Sequence, residues 1–151
     1  MTAPSSISPA LRQEVLERAE GCCEYCLSRQ DLSVATFHVD HIRPSAKGGR
    51  TELDNLALAC PLCNGAKGAR LGAEDPQTGR WSPLFHPRRQ RWARHFRWNR
   101  DFSRIIGRTV CGRATVEALG MNRPRLVQMR PYWRIFGLHP SVHLIVLPPP
   151  E

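Results

Sequence analysis

Long apolar segments are missing from this 151-residue sequence. A membrane-spanning helix needs about 20 consecutive apolar residues. The longest apolar runs, Leu56–Cys63 and Leu144–Pro150, are far shorter, and each is interrupted by proline or bounded by histidine. The opening MTAPSSISPA also lacks the basic and apolar regions of a secretory signal. We therefore expect a cytosolic protein with no membrane-spanning segment.

Acidic residues are scarce in the second half of the chain. Residues 76–151 hold 14 basic and 3 acidic residues, a net charge of +11, whereas residues 1–75 hold 8 and 10, a net charge of −2. Such a basic half indicates a polyanionic partner, with nucleic acid as the first candidate and a membrane surface as the second. Lysine is almost absent, since 20 of the 22 basic residues are arginine. A GC-rich genome would explain that preference but not the sign of the excess.

The first half of the sequence predicts a helix followed by the order strand, loop, strand, helix. Ser8 is a helix-capping residue followed by a proline, and Gly21 ends the predicted helix. The β-branched and aromatic segment 36–41 predicts a strand, and residues 54–60 predict a second extended stretch. A short helix is predicted over residues 64–73.

The second half predicts a smaller α/β unit after a linker. The linker is residues 72–83, whose DPQTG is a turn signal. Helix and hairpin both fit the Arg/aromatic segment that follows, and we favour a hairpin over residues 86–106. Helices are predicted over residues 112–119 and from Asn122 onward, the latter kinked at Pro131. Its expected apolar face consists of Leu126, Met129, Trp133 and Phe136.

Five of the six cysteines lie within residues 22–63, which favours metal binding over disulfides in a cytosolic chain. Two C-x-x-C pairs, Cys23–Cys26 and Cys60–Cys63, each form a turn that directs two thiolates to one point. Four thiolates complete the tetrahedral shell of one structural Zn²⁺ per chain and leave no position for a reactive water. Cys22 is an alternative to Cys23 in a longer register. A redox pair is a weaker interpretation, because no thioredoxin-like strand precedes either motif. Cys111 is predicted to be a core residue.

Residues between and beyond these pairs carry a second pattern. It consists of Asp40-His41, a loop that ends in Gly48–Gly49, the DNL of Asp54–Leu56, and the CPLCN-x-x-K of Cys60–Lys67. In this order and spacing the segment resembles the HNH endonuclease family over roughly residues 23–68. Residues 75–140, which include DPQTG, PLFHPRRQRW and GRATVEAL, also look like an extension seen in one bacterial branch of that family.

Phosphodiester hydrolysis requires a base for the attacking water and a cation for the charge that builds on the phosphate. A histidine that is neutral near pH 7 suits the first task, and we assign it to His41. Asp40 and Asn64 offer the oxygen ligands that a hard cation prefers, and the family pattern places metal ligands at these two positions. Because the third motif residue is asparagine, the resemblance implies an HNN variant that uses Mg²⁺ or Mn²⁺.

Three further residues of this segment have predicted roles, and of these Asn55 belongs to the predicted catalytic set with Asp40, His41 and Asn64. By resemblance, Asn55 hydrogen-bonds across the loop and holds His41 in orientation. Lys67 is interpreted either as a phosphate contact or as a solvated helix lysine. His38 shares a strand face with Asp40, where it would touch the metal or substrate or serve as a hydrogen-bonded flank, and we leave it outside the predicted catalytic set.

The predicted nucleic-acid contacts lie in the basic half, where arginines alternate with Trp92, Phe96 and Trp98. They are Arg88, Arg89, Arg91, Arg94 and Arg97, together with Lys67. Such a surface grips phosphates without reading sequence. The alternative is a small aromatic core with a solvated arginine rim, and we favour a mixture of the two.

These observations predict an α+β fold. A ββα-metal (His-Me finger) module stabilised by a four-cysteine zinc occupies residues 1–75, and a small basic α/β extension packed on it occupies residues 76–151. The predicted function is a metal-dependent endonuclease that hydrolyses DNA, with duplex DNA as the expected substrate. The family resemblance implies that the products carry a 5′-phosphate and a 3′-hydroxyl. A homodimer would supply two active sites for two strands. The alternatives are a non-catalytic zinc-containing nucleic-acid-binding module and an RNA-directed nuclease.

Overall fold

A computed structural model describes residues 7–141, so the expectations that concern MTAPSS and Leu144–Pro150 fall wholly or partly outside the described residues. The chain has an α+β fold with short antiparallel strand pairs. Its helices and strands, in chain order, are α1 Pro9–Arg18, β1 His38–His41, β2 Leu56–Ala59, α2 Pro61–Lys67, β3 Gly72–Glu74, β4 Trp81–Pro83, α3 Trp92–His95, β5 Phe96–Trp98, β6 Ile105–Gly107, α4 Val110–Leu119 and α5 Pro124–Ile135. No helix within residues 7–141 is long and apolar enough to cross a membrane.

Helix α1 forms where the sequence predicts it. The Ser8 hydroxyl accepts a hydrogen bond from the Leu11 amide at 3.1 Å, which satisfies one of the free amides of the first turn. Val15 and Ala19 are fully buried on the inner face. At the last turn the Arg18 guanidinium donates to the Leu56 carbonyl at 2.6 Å, so the end of α1 is tied to the start of β2.

The predicted strand, loop, strand and helix order is confirmed. Strand β1 pairs antiparallel with β2, His38 opposite Ala59 and His41 opposite Leu56. Helix α2 begins earlier than expected, because the Cys60 sulfur caps it by accepting from the Cys63 amide and Pro61 occupies the first position. It ends at Lys67 rather than at residue 73.

The prediction of a linker over residues 72–83 is wrong. Strands β3 and β4 form an antiparallel hairpin there, and DPQTG is its turn. Asp75 explains the ordering: its carboxylate accepts hydrogen bonds from the Gln77 amide at 3.0 Å and the Thr78 hydroxyl at 2.7 Å. Arg113 on α4 donates to both Asp75 oxygens, at 3.0 and 2.9 Å. The segment is therefore fixed to the extension.

The Arg/aromatic segment contains both a helix and a hairpin, the two structures that its sequence allows. A single helical turn, α3, is followed by the hairpin of β5 and β6, so the predicted hairpin is confirmed over residues 96–107 but not before residue 96. The Asn99 side-chain oxygen closes its turn by accepting from the amides of Ser103 and Arg104. Trp92 and Phe96 are buried and in contact, with ring centroids 5.1 Å apart.

Helix α5 forms, but its predicted apolar face is not the buried one. Met129 is 41% exposed and Phe136 is 77% exposed, whereas Arg130 is only 1% exposed. The Arg130 guanidinium donates to the Met121 carbonyl at 2.6 Å and the Ser103 carbonyl at 2.9 Å. These bonds satisfy a buried charged group and set the rotation of the helix, which the spacing of apolar residues does not reveal.

One hydrophobic cluster spans both halves of the chain. It runs from Val15 and Tyr25 through β2 to Leu119 and Met121. The indole of Trp92 donates to the Tyr25 carbonyl at 2.8 Å, so the aromatic residues of the extension anchor it on the first module. The hairpin of β3 and β4 lies across the expected boundary at residue 75.

Candidate active site and metal centre

The four predicted zinc ligands lie together. The sulfur atoms of Cys23, Cys26, Cys60 and Cys63 are all within 4.8 Å of one another, and all four residues are buried. The Cys26 and Cys60 sulfurs are 3.7 Å apart, and a tetrahedral site with Zn–S bonds of about 2.3 Å requires about 3.8 Å. In each pair the second cysteine amide donates to the first sulfur. The donor set and its size fit a structural zinc ion.

Thiols of the cluster shift one another's pKa in opposite directions. Hydrogen bonds from the other three cysteines, beginning with Cys23, lower the pKa of Cys26 well below its ordinary value. Burial raises the pKa of Cys23. The Cys22 thiol lies outside the cluster, where it donates to the Ser141 hydroxyl at 3.4 Å. The two-residue spacing from Cys23 is therefore the register that the fold uses.

Asp40 lies on β1 in a buried polar network. Its side chain is 6% exposed, and one oxygen, Oδ2, accepts the Tyr25 hydroxyl at 2.7 Å. The Lys67 ammonium lies 3.1 Å from Oδ2 and 3.3 Å from Oδ1. Burial raises the pKa of Asp40, while the charge of Lys67 and the Tyr25 hydroxyl counteract that rise. The carboxylate is thus held in a fixed orientation by two donors.

The structure corrects the interpretation of Lys67 as a solvated helix lysine. Lys67 is 1% exposed at the end of α2. Besides pairing with Asp40, its ammonium donates to the His41 carbonyl at 2.9 Å. A buried charge of this kind is stable only when paired. Lys67 therefore links the two predicted catalytic residues of β1 to α2 and is shielded from solvent.

The His41 ring is partly buried at the end of β1. Its Nε2 atom lies 2.9 Å from the Thr51 hydroxyl. The Ile42 amide, one residue further, donates to the Asn55 carbonyl at 2.8 Å. His41 is thus fixed by its ring and by the backbone that follows it.

Asn55 closes the loop between the two strands. Its side-chain oxygen accepts from the Arg43 amide at 2.8 Å, and its amide donates to the carbonyls of Arg43 at 3.1 Å and Arg50 at 2.8 Å. Gly49 is required here, because an added Cβ would lie 1.8 Å from the Arg43 carbonyl oxygen. The bonds across the loop agree with the contacts expected from the resemblance.

Asn64 and His38 make fewer contacts. Asn64 lies on the first turns of α2 and is partly exposed, and among residues 7–141 its side-chain amide makes no hydrogen bond. Its oxygen is therefore available as a ligand. His38 is exposed at the start of β1. The predicted ligands Asp40 and Asn64 come from β1 and α2, which pack against each other.

The predicted arginine surface divides into two kinds of residue. Arg88 is only 17% exposed and pairs with Glu24, so its placement on a phosphate-binding surface is corrected. Burial lowers the pKa of Arg88 to about 10. The remaining members, Arg89, Arg91, Arg94 and Arg97, are exposed.

Sequence reasoning missed three residues that support the site. Glu24 and Tyr25 lie between Cys23 and Cys26, and Glu24 accepts from the Leu58 amide of β2 at 2.8 Å. Thr51 contacts the His41 ring. The signal for the first two was their position inside a metal-binding turn, which fixes the backbone on either side. Nothing in the spacing of Thr51 indicates its contact.

Comparison with known proteins agrees with this geometry. Residues 23–70 match the model of the HNH endonuclease family. Neither the curated proteins nor the solved structures include a significant match. The matched segment contains both cysteine pairs, β1, β2 and α2, and it leaves the extension outside. The match assigns residues 23–70, about a third of the chain, to an HNH endonuclease domain.

Proposed function

We propose that this chain, which carries an HNH endonuclease domain at residues 23–70, is a metal-dependent endonuclease that hydrolyses phosphodiester bonds in DNA. The observation that carries the proposal is the joint placement of the motif residues. Asp40 and His41 lie on β1, and Asn64 lies on the helix packed beside it. A module that only binds nucleic acid does not require this set.

The oxygen atoms of Asp40 and Asn64 fit a Mg²⁺ or Mn²⁺ ion. Asp40 Oδ1 accepts one bond, from Lys67, and so keeps a lone pair. The Asn64 amide makes no hydrogen bond to a residue in the described part of the chain. Few protein ligands leave positions for water and phosphate, as Mg²⁺ sites require. When bound, the ion would stabilise the charge on the phosphate and on the leaving oxygen.

His41 serves as the general base in the proposed reaction. The proposed reaction uses the tautomer in which Nε2 carries the hydrogen and donates to the Thr51 hydroxyl, 2.9 Å away, so that Nδ1 is the unprotonated nitrogen. Nδ1 takes a proton from the attacking water, whose oxygen forms the new bond to phosphorus. The bond between phosphorus and the 3′-oxygen breaks, and that oxygen acquires a proton from solvent. The products are a 5′-phosphate and a 3′-hydroxyl.

The basic extension is proposed to hold the DNA. Residues 76–151 carry a net charge of +11, and four arginines of the predicted set are exposed on it. Contacts to phosphates supply affinity but no sequence information. The proposal thus separates cleavage, in the HNH domain, from binding, in the extension.

Cleavage of supercoiled plasmid with Mg²⁺ or Mn²⁺ tests the proposal. The zinc-loaded parent should cut, and His41→Ala should be slower by at least about 100-fold, which is the lower range for loss of a general base. His38→Ala, an exposed histidine on the same strand, should retain the parent rate. A parent as inert as His41→Ala overturns DNA cleavage. Cleavage confined to RNA substrates would favour the RNA-directed alternative, and binding without cleavage would favour the non-catalytic one.

A further inference from the structure

A cleft of about 360 Å³ lies between the HNH domain and the start of the extension. One wall is the loop between β1 and β2, including Arg43 and Asn55, and the other wall is Leu84 to Arg89. The end of α2, from Lys67 to Leu71, completes it. The cleft therefore exists only because the extension packs on the domain.

The charge of this cleft is dominated by arginine. Four arginines line it, against two acidic residues. Arg50 pairs with Glu52 at 3.2 Å, and Arg43 donates to the Lys47 carbonyl at 2.8 Å. The lining arginines are Arg43, Arg50, Arg70 and Arg89, and the acidic residues are Glu52 and Asp54.

Arg70 and Arg89 are the two cleft arginines without a role in the fold. Both are exposed, and among residues 7–141 neither guanidinium makes a hydrogen bond or an ion pair. Arg70 comes from the HNH domain and Arg89 from the extension, so they approach the cleft from its two sides. Guanidinium groups are well suited to phosphate because they present several donors in a planar fork.

The cleft also adjoins the proposed catalytic residues. Lys67 lines it and contacts both Asp40 and the His41 carbonyl, while Asn55 lines it and braces the loop. Asp40, His41 and Asn64 do not line the cleft themselves, so it is connected to the proposed catalytic residues through Lys67 and the loop that Asn55 closes. His86 also lines the cleft, and burial lowers its pKa, so the positive charge at neutral pH comes from the arginines.

We propose that this cleft binds backbone phosphates of the substrate strand that flank the cleaved bond, with Arg70 and Arg89 as the contacting residues. The inference rests on the proposed nuclease function and adds the path of the strand. It differs from the sequence-based expectation, because Arg70 was not in that set. It also adds phosphate contacts at the boundary between domain and extension to those proposed for the extension.

The salt dependence of DNA binding tests the cleft without requiring cleavage. A fluorescein-labelled duplex is titrated with zinc-loaded protein, freed of excess metal by gel filtration, in a buffer without chelator, Mg²⁺ or Mn²⁺, and anisotropy gives the affinity at several salt concentrations. Each lost phosphate contact reduces the slope of log affinity against log salt by about 0.9. The double variant R70Q/R89Q should therefore lose about 1.8 from the slope. Between about 50 and 200 mM salt, the parent should lose about 12-fold more affinity than this variant.

A matched variant removes two charges elsewhere. Arg104 and Arg125 are exposed and, within residues 7–141, their guanidinium groups make no hydrogen bond. R104Q/R125Q should keep the parent slope, and R70K/R89K should recover most of it, since lysine retains the charge. Any of three results would overturn the proposal that the cleft binds phosphates. These are equal slopes for R70Q/R89Q and the parent, an equal loss of slope in R70Q/R89Q and R104Q/R125Q, or no measurable binding of DNA by the parent. If the parent cuts plasmid and the slope of R70Q/R89Q equals that of the parent, only the proposal for the cleft is overturned. A parent that binds through the cleft without cutting overturns only the catalytic proposal.

Discussion

The buried ion pair between Lys67 and Asp40 yields the sharpest prediction. Both side chains are nearly inaccessible, 1% and 6% exposed, and their charged atoms are 3.1 Å apart. Lys67→Met keeps the length of the side chain but removes the charge and the bond to the His41 carbonyl. Because it leaves a buried carboxylate with only the Tyr25 hydroxyl, it should lower the free energy of unfolding by about 3–5 kcal/mol.

A double-mutant cycle measures the pair itself. Urea unfolding of zinc-loaded parent, Lys67→Met, Asp40→Asn and the double variant should give a coupling energy above about 1 kcal/mol, because contacting residues are not additive. Lys47→Met is the matched control: Lys47 is the only other lysine and is exposed. Its effect should stay within about 0.5 kcal/mol.

The pH dependence of the same variant has a defined sign. Burial already raises the pKa of Asp40, and the charge of Lys67 opposes that rise. In Lys67→Met the folded pKa rises further above the unfolded value, so the native state binds more protons and its stability falls as pH rises. The difference in the free energy of unfolding between the parent and Lys67→Met should therefore become smaller as pH is lowered. A deficit below about 1 kcal/mol at neutral pH, or strict additivity in the cycle, would refute the reasoning.

Three further predictions concern the cysteine cluster, the Tyr25 hydroxyl and the Arg113–Asp75 ion pair. Cys60→Ser should reduce the zinc content from about one per chain towards zero and unfold the domain, as measured by metal analysis and circular dichroism. Tyr25→Phe should cost about 1.5–3 kcal/mol in urea unfolding, because it removes a donor to the Asp40 carboxylate. Arg113→Met should move acid unfolding to higher pH. The Arg113 guanidinium holds the pKa of Asp75 well below its ordinary value, and the stability this provides is lost as pH falls through that folded pKa.

Each of these changes has a counterpart elsewhere in the chain. Cys111 lies outside the cysteine cluster and is only partly buried, so Cys111→Ser should keep the zinc. Tyr132 is 58% exposed, and Tyr132→Phe should leave stability unchanged. Arg125→Met should leave the acid transition in place. The zinc prediction would be contradicted by a folded Cys60→Ser protein that retains zinc. Equal effects of Tyr25→Phe and Tyr132→Phe on the free energy of unfolding would contradict the second prediction, and an unchanged acid transition in Arg113→Met would contradict the third.

The parts of the fold that the sequence predicts are those set by local spacing. Two residues separate each cysteine from its partner, and a tight turn is enough to bring both sulfurs to one point. The capping of α1 by Ser8 depends on a residue three positions away. The order of β1, β2 and α2 likewise follows from short periodic segments joined by a recognisable loop.

The parts of the fold that the sequence does not predict depend on contacts between residues far apart in the chain. Trp92 binds the carbonyl of Tyr25, 67 positions away. Asp75 orders a presumed linker because Arg113, 38 positions later, reaches it. Arg130 is buried because carbonyls of other segments surround it. In each case a polar group finds its partner only in the folded chain, where composition and periodicity carry no signal.

The two residues between the first pair of cysteines connect all parts of this molecule. Glu24 pairs with Arg88 of the extension, and the carbonyl of Tyr25 accepts the indole of Trp92. The hydroxyl of the same tyrosine binds Asp40. A zinc ion in the cysteine cluster would fix the backbone that carries both residues, so it would hold the proposed catalytic carboxylate and the basic extension through one turn. The HNH domain and the basic extension are therefore not independent modules, since the orientation of each is set by the residues inside the metal-binding turn.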